Sequence, residues 1–204
     1  MNIYFIRHGF TDSLEKRIIQ SDNEPLNEKG RTQAKELAKR FSDTKLDLVV
    51  SSPCVRALET AKTVIDEVKI NELFKEVREP KEIIGRSIEE SEVKNILTRI
   101  GEMYLVDPNW HYSDEENFDD LKKRGMKALD FLISRDKENI LVVSHGNFIV
   151  LMIGLMLFSK NYTIDISLHL KGFLRLSNTG VSVCTYKENK WRLQCWNDTS
   201  HCLE

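Results

Sequence analysis

The sequence predicts an α/β protein, a three-layer α/β/α sandwich with a mostly parallel central sheet and a helical insertion. Short apolar segments typical of buried strands alternate with amphipathic helical segments near the amino terminus. Two apolar segments end in the same dipeptide, His-Gly, at positions 8 and 145, so we expect both imidazoles at the same edge of the sheet, where ligands bind. The stretch from about 80 to 136 is rich in charge and holds no convincing strand. We therefore predict a single domain over residues 1–204, with residues 80–136 as a helical insertion or cap.

Hydrophobic periodicity predicts the amino-terminal elements. Residues 2–6 are apolar and lack a helical period, which indicates a strand. Asn27 is a candidate N-cap for the first long helix. Residues 46–50 predict the next strand, and residues 51–53 (Ser-Ser-Pro) offer a cap and a proline suited to the first helical position. The apolar stripes of the two helices are Ala34, Leu37, Ala38 and Phe41 in the first, and Ala57, Ala61, Val64 and Val68 in the second.

The second half of the chain returns to the sheet. Residues 140–144 predict a buried strand, and the apolar run 148–158 predicts a buried helix, because it is far shorter than the ~20 residues of a membrane span. Residues 181–186 and 191–196 predict a closing hairpin.

Composition restricts the class of protein. There are 30 basic and 32 acidic residues, a net charge of −2, so there is no basic excess to favour nucleic acid. No export signal or membrane span is evident, and the four cysteines are scattered without CxxC spacing. We expect a cytoplasmic enzyme with neither a membrane nor a nucleic acid as partner.

The turn Arg7-His8-Gly9 favours chemistry on a phosphate monoester. A neutral imidazole can attack phosphorus, and a guanidinium matches two phosphoryl oxygens. The tripeptide alone is weak evidence, since an ordinary strand-end turn explains it as well.

Arg56 and the second His-Gly turn extend the argument. Arg56 falls in the first turn of a predicted helix, where a cation opposes the helix dipole unless an anion is bound; a surface arginine with a carboxylate partner is the alternative. His145-Gly146 leads into the next helix, whose free amides we expect to face an anion. A buried structural histidine is the alternative there.

The leaving alkoxide of a phosphate monoester needs a proton from an acid. Residues 72–79 offer Glu72, Glu76 and Glu79, and their spacing does not choose between them.

Together these motifs resemble the histidine phosphatase superfamily, the phosphoglycerate-mutase-like proteins. Arg7-His8-Gly9 resembles its first motif, Ser51-Ser52-Pro53 with Arg56 its second, and Val143-Ser144-His145-Gly146 its third. The resemblance implies that His8 becomes phosphorylated and that Arg7, Arg56, His145 and Gly146 bind the phosphoryl group. It also implies that the acid closes a Leu-x-Glu-like stretch, here Phe74-Lys75-Glu76, with Glu79 as the alternative.

The family pattern also has departures in this chain. Leu14 stands where some members carry a phosphate-binding asparagine, and Phe10 replaces a polar residue. The chain is shorter than mutases with a long lid, which favours a phosphatase, whereas Asn147 is typical of mutase-like members. The resemblance thus implies a metal-independent phosphatase that needs no cofactor and acts on a small-molecule phosphate monoester, with a phosphoprotein as an alternative substrate. A phosphoglycerate-type mutase and a non-catalytic phospho-ligand binding module are the alternative functions. Trp110, His111 and Tyr112 in the insertion are candidates for lining the substrate site, with packing, the commoner role of such residues at helical spacing, as the alternative.

Overall fold

The computed structural model describes residues 1–202 and confirms the predicted α/β class. The strands are β1 (Asn2–Arg7), β2 (Leu48–Ser51), β3 (Lys69–Ile70), β4 (Asn139–Ser144), β5 (Val181–Lys187) and β6 (Lys190–Asp198). The helices are α1 (Asp12–Glu15), α2 (Glu28–Phe41), α3 (Val55–Val64), α4 (Ser91–Val106), α5 (Phe118–Ile133), α6 (Gly146–Phe158) and α7 (Ile164–Phe173). Short 3-10 turns cover Glu72–Phe74, Lys81–Ile83 and Ser159–Asn161.

The six strands form one mostly parallel sheet in the order β3-β2-β4-β1-β5-β6. Strands β3, β2, β4 and β1 run parallel, and β5 and β6 add an antiparallel edge. Arg7 lies opposite Ser144, and Ser51 lies opposite Val143. The carboxyl ends of β1, β2 and β4 therefore meet at one edge, where ligands bind in open α/β sheets.

Alternating side chains of the strands build two cores, one on each face of the sheet. Ile3 and Phe5 of β1 pack in the core that contains α5 and α6, whereas Ile6 packs in the core that contains α2 and α3. Successive residues of a strand point to opposite faces, so a strand buried on both faces must be apolar throughout. The predicted three-layer arrangement is confirmed.

Of the predicted starts of α2 and α3, only that of α2 is confirmed. The Asn27 side chain accepts a hydrogen bond from the Gly30 amide at 3.0 Å, which confirms the predicted N-cap. The predicted start of α3 at the proline is wrong, because the helix begins at Val55. The Ser52 amide still donates to Val143 O at 3.0 Å, so the chain stays extended beside β4 for longer than the cap pattern suggests.

Helix α3 ends at Val64, earlier than its predicted apolar stripe, and Lys69–Ile70 instead pair with β2 as the edge strand β3. A strand of two exposed residues leaves no periodic signal in a sequence.

The predicted insertion divides into two parts. Ile83, Val93, Ile96 and Ile100 form a small separate core, and Trp110 and Tyr112 pack against it. Helix α5 instead packs its buried residues on the sheet together with α6. The cap is thus shorter than residues 80–136, because α5 belongs to a layer of the sandwich. The single-domain assignment stays a prediction, and its residues 203 and 204 lie outside the described range.

The closing hairpin is confirmed with longer strands than predicted. Strands β5 and β6 are joined by Glu188 and Asn189, whose φ angles are 54° and 59°. Two consecutive positive φ values define the type I′ loop that suits twisted hairpins.

Within the described residues, no helix has both the length and the apolar character needed to span a membrane.

Candidate active site

The two His-Gly turns lie side by side at the carboxyl edge of the sheet. The His8 amide donates to Ser144 O at 3.0 Å, which continues the pairing of β1 with β4. The imidazole centroids of His8 and His145 are 5.2 Å apart. The predicted meeting of the two histidines is therefore confirmed, because both follow adjacent parallel strands in register.

Hydrogen bonds define the protonation pattern of the His8 imidazole. Nδ1 lies 2.7 Å from Gly9 O, and since a carbonyl can only accept, Nδ1 carries the proton. Nε2 accepts a hydrogen bond from Nε of Arg56 at 3.3 Å. Burial lowers the pKa of His8 well below its ordinary value, and the charges of Arg56 and Arg7 lower it further. The ring is therefore neutral, with a lone pair on Nε2.

Helix α3 and the loop before β5 hold the His8-Gly9 turn. The Gly9 amide donates to Oγ1 of Thr60 at 3.0 Å, and the Asn178 side-chain amide donates to His8 O at 2.8 Å. A Cβ on Gly9 would lie only 2.7 Å from Gly30 O, so the approach of the two backbones requires glycine. Asn178 carried no sequence signal, because it lies in a polar loop far along the chain.

Arg56 places its buried guanidinium between the two imidazoles. It lies in the first turn of α3 as predicted. Besides its bond to His8, it donates from Nη1 to Ser21 O at 2.7 Å and from Nη2 to Nδ1 of His145 at 3.2 Å. Helix α3 has no acidic residue in its first turn. The dipole conflict recognised in the sequence is therefore real, and it favours an anion at this position.

His145 is fully buried behind Arg56. Since its Nδ1 accepts from Arg56, its Nε2 donates to Oγ of Ser52 at 2.8 Å. Burial, followed by the charge of Arg56, lowers its pKa well below the ordinary value. His145 does not line the adjacent cavity; it contacts Arg56, which does.

Arg7 presents an unsatisfied donor. Its Nη1 donates to Leu176 O at 2.6 Å, whereas its buried Nε has no hydrogen-bond partner among residues 1–202. Gly146 lies against this guanidinium, since a Cβ there would be 3.5 Å from Nε. A buried unpaired N–H costs about 1–3 kcal/mol, and an anion in the cavity would remove that cost.

The Glu76 carboxylate lies at the amino terminus of α6. Oε1 accepts from the amides of Val77 and Phe148, both at 3.0 Å, and Oε2 accepts from the amide of Asn147 at 3.3 Å. The expectation that the α6 amides are free for a ligand is therefore wrong, because Glu76 occupies two of them. Its charge raises the pKa of Arg7 against the effect of burial, so the two groups interact electrostatically.

Glu79 also lines the cavity, and its surroundings differ from those of Glu76. Burial raises the pKa of Glu79 to about 7; Lys171 opposes the shift, while Glu76 and Glu115 add to it. Glu72 lines the cavity as well but is exposed.

A cavity of about 790 Å³ opens above these groups. Arg7, His8 and Arg56 lie in its wall, and Leu14, the departure from the family pattern, lines it too. The insertion contributes Lys81, Ile84, Glu116 and Arg124 rather than the predicted aromatic side chains. For Trp110 and Tyr112 the alternative holds, because they pack against the small core and do not line the cavity. His111 lines a separate smaller cavity. Among residues 1–202, no group of three or more His, Cys, Asp or Glu side chains is arranged to hold a metal ion.

The three-layer fold and this cluster of histidines and arginines agree with a comparison to known protein families. A family model described as "Histidine phosphatase superfamily (branch 1)" matches residues 3–199. The chain therefore belongs to the histidine phosphatase superfamily, branch 1.

Individual relatives carry the names of phosphatases and of mutases. The chain is 26% identical over 216 residues to "Probable phosphoglycerate mutase GpmB" of Enterobacter sp. (strain 638), covering 98% of this chain and 94% of the relative. It is 30% identical over 159 residues to "Putative phosphoserine phosphatase 2" of Hydrogenobacter thermophilus, covering 71% and 72%. Among solved structures, a mutant phosphoserine phosphatase from Entamoeba histolytica in complex with phosphoserine is 25% identical, with a TM-score of 0.81 and 99% coverage of both chains. Phosphoryl hydrolysis or transfer is the chemistry these relatives share by name.

Proposed function

We propose that this protein is a phosphatase that hydrolyses phosphate monoesters through a phosphohistidine intermediate on His8. The observation that carries the proposal is the neutral His8 imidazole, whose Nε2 lone pair lies at a cavity wall beside two arginines. One of those arginines keeps a buried, unpartnered N–H. A dianionic phosphoryl group supplies what this arrangement lacks, a negative charge with several acceptor oxygens.

The first step is an in-line displacement at phosphorus. The Arg56 Nε–H releases His8 Nε2 and turns to a phosphoryl oxygen, a bond forms between Nε2 and phosphorus, and the ester P–O bond breaks. Arg7 and Arg56 stabilise the charge on the equatorial oxygens, and His145 orients Arg56, with a direct contact to the phosphoryl group as its predicted further role. In the second step water attacks phosphorus, inorganic phosphate leaves, and His8 regains its lone pair.

Glu76 is our choice for the acid that protonates the leaving alkoxide and then accepts a proton from water. Its carboxylate lies in the cavity wall, interacts with Arg7 and is held by backbone amides. Glu79 is the alternative, and its pKa of about 7 favours it as a proton donor at neutral pH.

Leaving-group basicity distinguishes the two acids. For Glu76→Gln we expect kcat/KM on phenyl phosphate to fall by roughly 10²–10⁴ and on p-nitrophenyl phosphate by far less, since p-nitrophenolate leaves without a proton. Glu79→Gln should lower both values equally and slightly. The reverse result would assign the acid to Glu79.

The phosphoenzyme itself provides the decisive test. Brief incubation with a radiolabelled phosphate ester, followed by a denaturing quench, should leave an acid-labile, base-stable phosphate on the protein. His8→Ala should abolish the label and turnover, whereas His169→Ala, at an exposed position on α7, should retain both. Full activity of His8→Ala, or a strict requirement for a divalent metal, would refute the mechanism.

A mutase is the second candidate function, favoured by the full-length relationship to a probable phosphoglycerate mutase and by Asn147 in the cavity wall. It predicts 2-phosphoglycerate as the product from 3-phosphoglycerate, where a phosphatase releases inorganic phosphate. A non-catalytic binding module predicts no turnover of p-nitrophenyl phosphate at all.

The cavity size supports a small-molecule phosphate monoester as substrate, since about 790 Å³ suits a metabolite. A phosphoprotein is the alternative substrate, and a screen of phosphorylated metabolites and phosphopeptides separates the two. The cytoplasmic location stays a prediction.

A further inference from the structure

The segment that carries Glu76 is held by an arginine that belongs to none of the sequence motifs. Arg124 lies on α5, and its guanidinium stacks 4.4 Å from the ring centroid of Phe148 on α6. It forms a two-point pair with Glu116 at 2.7 Å and 2.6 Å. Both side chains are largely buried, with exposed fractions of 16% and 12%.

The hydrogen bonds of Arg124 point away from a ligand-binding role. A guanidinium has five N–H donors. Nη1 donates to Leu73 O and Lys75 O, both at 2.9 Å, and Nη2 donates to Glu76 O at 3.2 Å. The remaining two N–H groups serve Glu116. All five donors thus have protein acceptors, whereas Arg7 retains an unpartnered Nε.

The backbone acceptors of Arg124 are three of the four carbonyls in residues 73–76, the segment that ends in the proposed acid. The Arg124 guanidinium donates to the carbonyls of residues 73, 75 and 76. The fourth carbonyl of the segment, Phe74 O, accepts a hydrogen bond from Oγ of Ser144 at 2.7 Å. Ser144 directly precedes His145 at the end of β4. The backbone of residues 73–76 is therefore tied to α5 on one side and to the central strand on the other.

We propose that Arg124 is a positioning residue for phosphoryl transfer, fixing residues 73–76 so that the Glu76 carboxylate stays between the α6 amino terminus and the cavity. The inference rests on the proposed function, since it gives Glu76 the role of acid. Glu116 supplies the counter-charge that a buried guanidinium requires. An acid held by its own backbone keeps the reacting geometry, and a displacement of about 1 Å can cost roughly 10²-fold in rate.

The test is a double-mutant cycle between Arg124→Ala and Glu76→Gln, read as kcat/KM on phenyl phosphate and on p-nitrophenyl phosphate. We expect Arg124→Ala alone to lose about 10²-fold on phenyl phosphate and much less on p-nitrophenyl phosphate. In the Glu76→Gln background the same change should add little, because the acid it positions is already absent. Inhibition by inorganic phosphate should be unchanged, since Arg7 and Arg56 remain.

Control variants separate positioning from general destabilisation. Arg135 follows α5, stacks on Phe131 at 4.6 Å and donates to Phe131 O at 3.2 Å, so Arg135→Ala removes a comparable arginine and should leave both kcat/KM values unchanged. Arg124→Lys keeps the charge but offers at most three donors, and it should show the same leaving-group dependence in weaker form. It also serves if Arg124→Ala does not fold.

The outcomes are distinguishable. Multiplicative losses in the double variant, or phosphate inhibition that weakens in parallel with kcat/KM, would overturn the positioning role alone. Absence of turnover and of a phosphohistidine in the wild-type protein would overturn the proposed function and this inference with it.

Discussion

Replacing Arg56 tests both the charge and the geometry of the site. In Arg56→Met the buried guanidinium that donates to His8, His145 and Ser21 O is lost. Loss of one oxyanion donor costs about 10²–10³ in turnover, which is roughly 2.7–4 kcal/mol. We expect kcat/KM on p-nitrophenyl phosphate to fall within this range, because no other arginine reaches both histidines among the described contacts.

The pH dependence of the same variant carries the sharper prediction. Burial lowers the pKa of His8, and Arg56 is the next cause. Without that charge the pKa of His8 rises, so the protonated, non-nucleophilic form persists to higher pH. The acid limb of kcat/KM should therefore move to higher pH in Arg56→Met.

Arg56→Lys provides the matched control. An ammonium keeps the positive charge but not the forked donors. We expect its kcat/KM to fall while its acid limb stays at the wild-type pH. Both variants are compared with the wild-type protein on the same substrate, so the titration of the substrate's phosphate group affects all three pH profiles equally. An acid limb in Arg56→Met that is unmoved, or moved to lower pH, would refute the assignment of neutral His8 as the nucleophile.

Three further changes test packing and charge elsewhere. Gly30→Ala would place a Cβ 2.1 Å from Phe10 O, so in denaturant melts it should lower the free energy of unfolding by about 1–3 kcal/mol. Gly101→Ala is the control: a Cβ there meets nothing within 4 Å, so the free energy of unfolding should rise by about 0.5–1 kcal/mol. The pKa of Glu79 is raised from 4.5 to about 7, so the wild-type protein becomes less stable as pH rises from 4.5 to 7. In urea melts the free energy of unfolding of Glu79→Gln should exceed that of the wild type by roughly 2–3 kcal/mol above pH ~7 and by little below pH ~4.5. The hydrogen bond from Arg40 lowers the pKa of Asp198 from 3.8 to about 2, so the stabilisation from this ion pair exists above pH 3.8 and is lost as pH falls through 2. Asp198→Asn should lower the free energy of unfolding by about 0.2–1 kcal/mol at neutral pH, and a loss that persists in acid would contradict the pairing.

Local patterns accounted for much of the fold. Apolar runs marked β1 and β4 because a strand buried on both faces must be apolar throughout. The Asn27 cap and the closing hairpin were predictable because each depends on residues close together in the chain. The short edge strand β3 was missed, since its pairing with β2 depends on a distant partner.

In the candidate active site, too, some features were predictable from the sequence and others were not. The placement of His8 and His145 at one edge followed from the strands that precede them. The unsatisfied Arg7 donor and the Arg124 contacts with residues 73–76 were not predictable, because backbone carbonyls are present in every residue and have no sequence signature.

The amino-acid sequence by itself determined the α/β class, the two His-Gly turns and the residue types suited to a phosphoryl group. Only the tertiary structure decided that Arg56 lies between the two imidazoles and that Glu76 occupies the α6 amides. The physical reason is that burial and long-range hydrogen bonds, which determine the charge state of His8 and the position of Glu76, arise only when distant segments pack together.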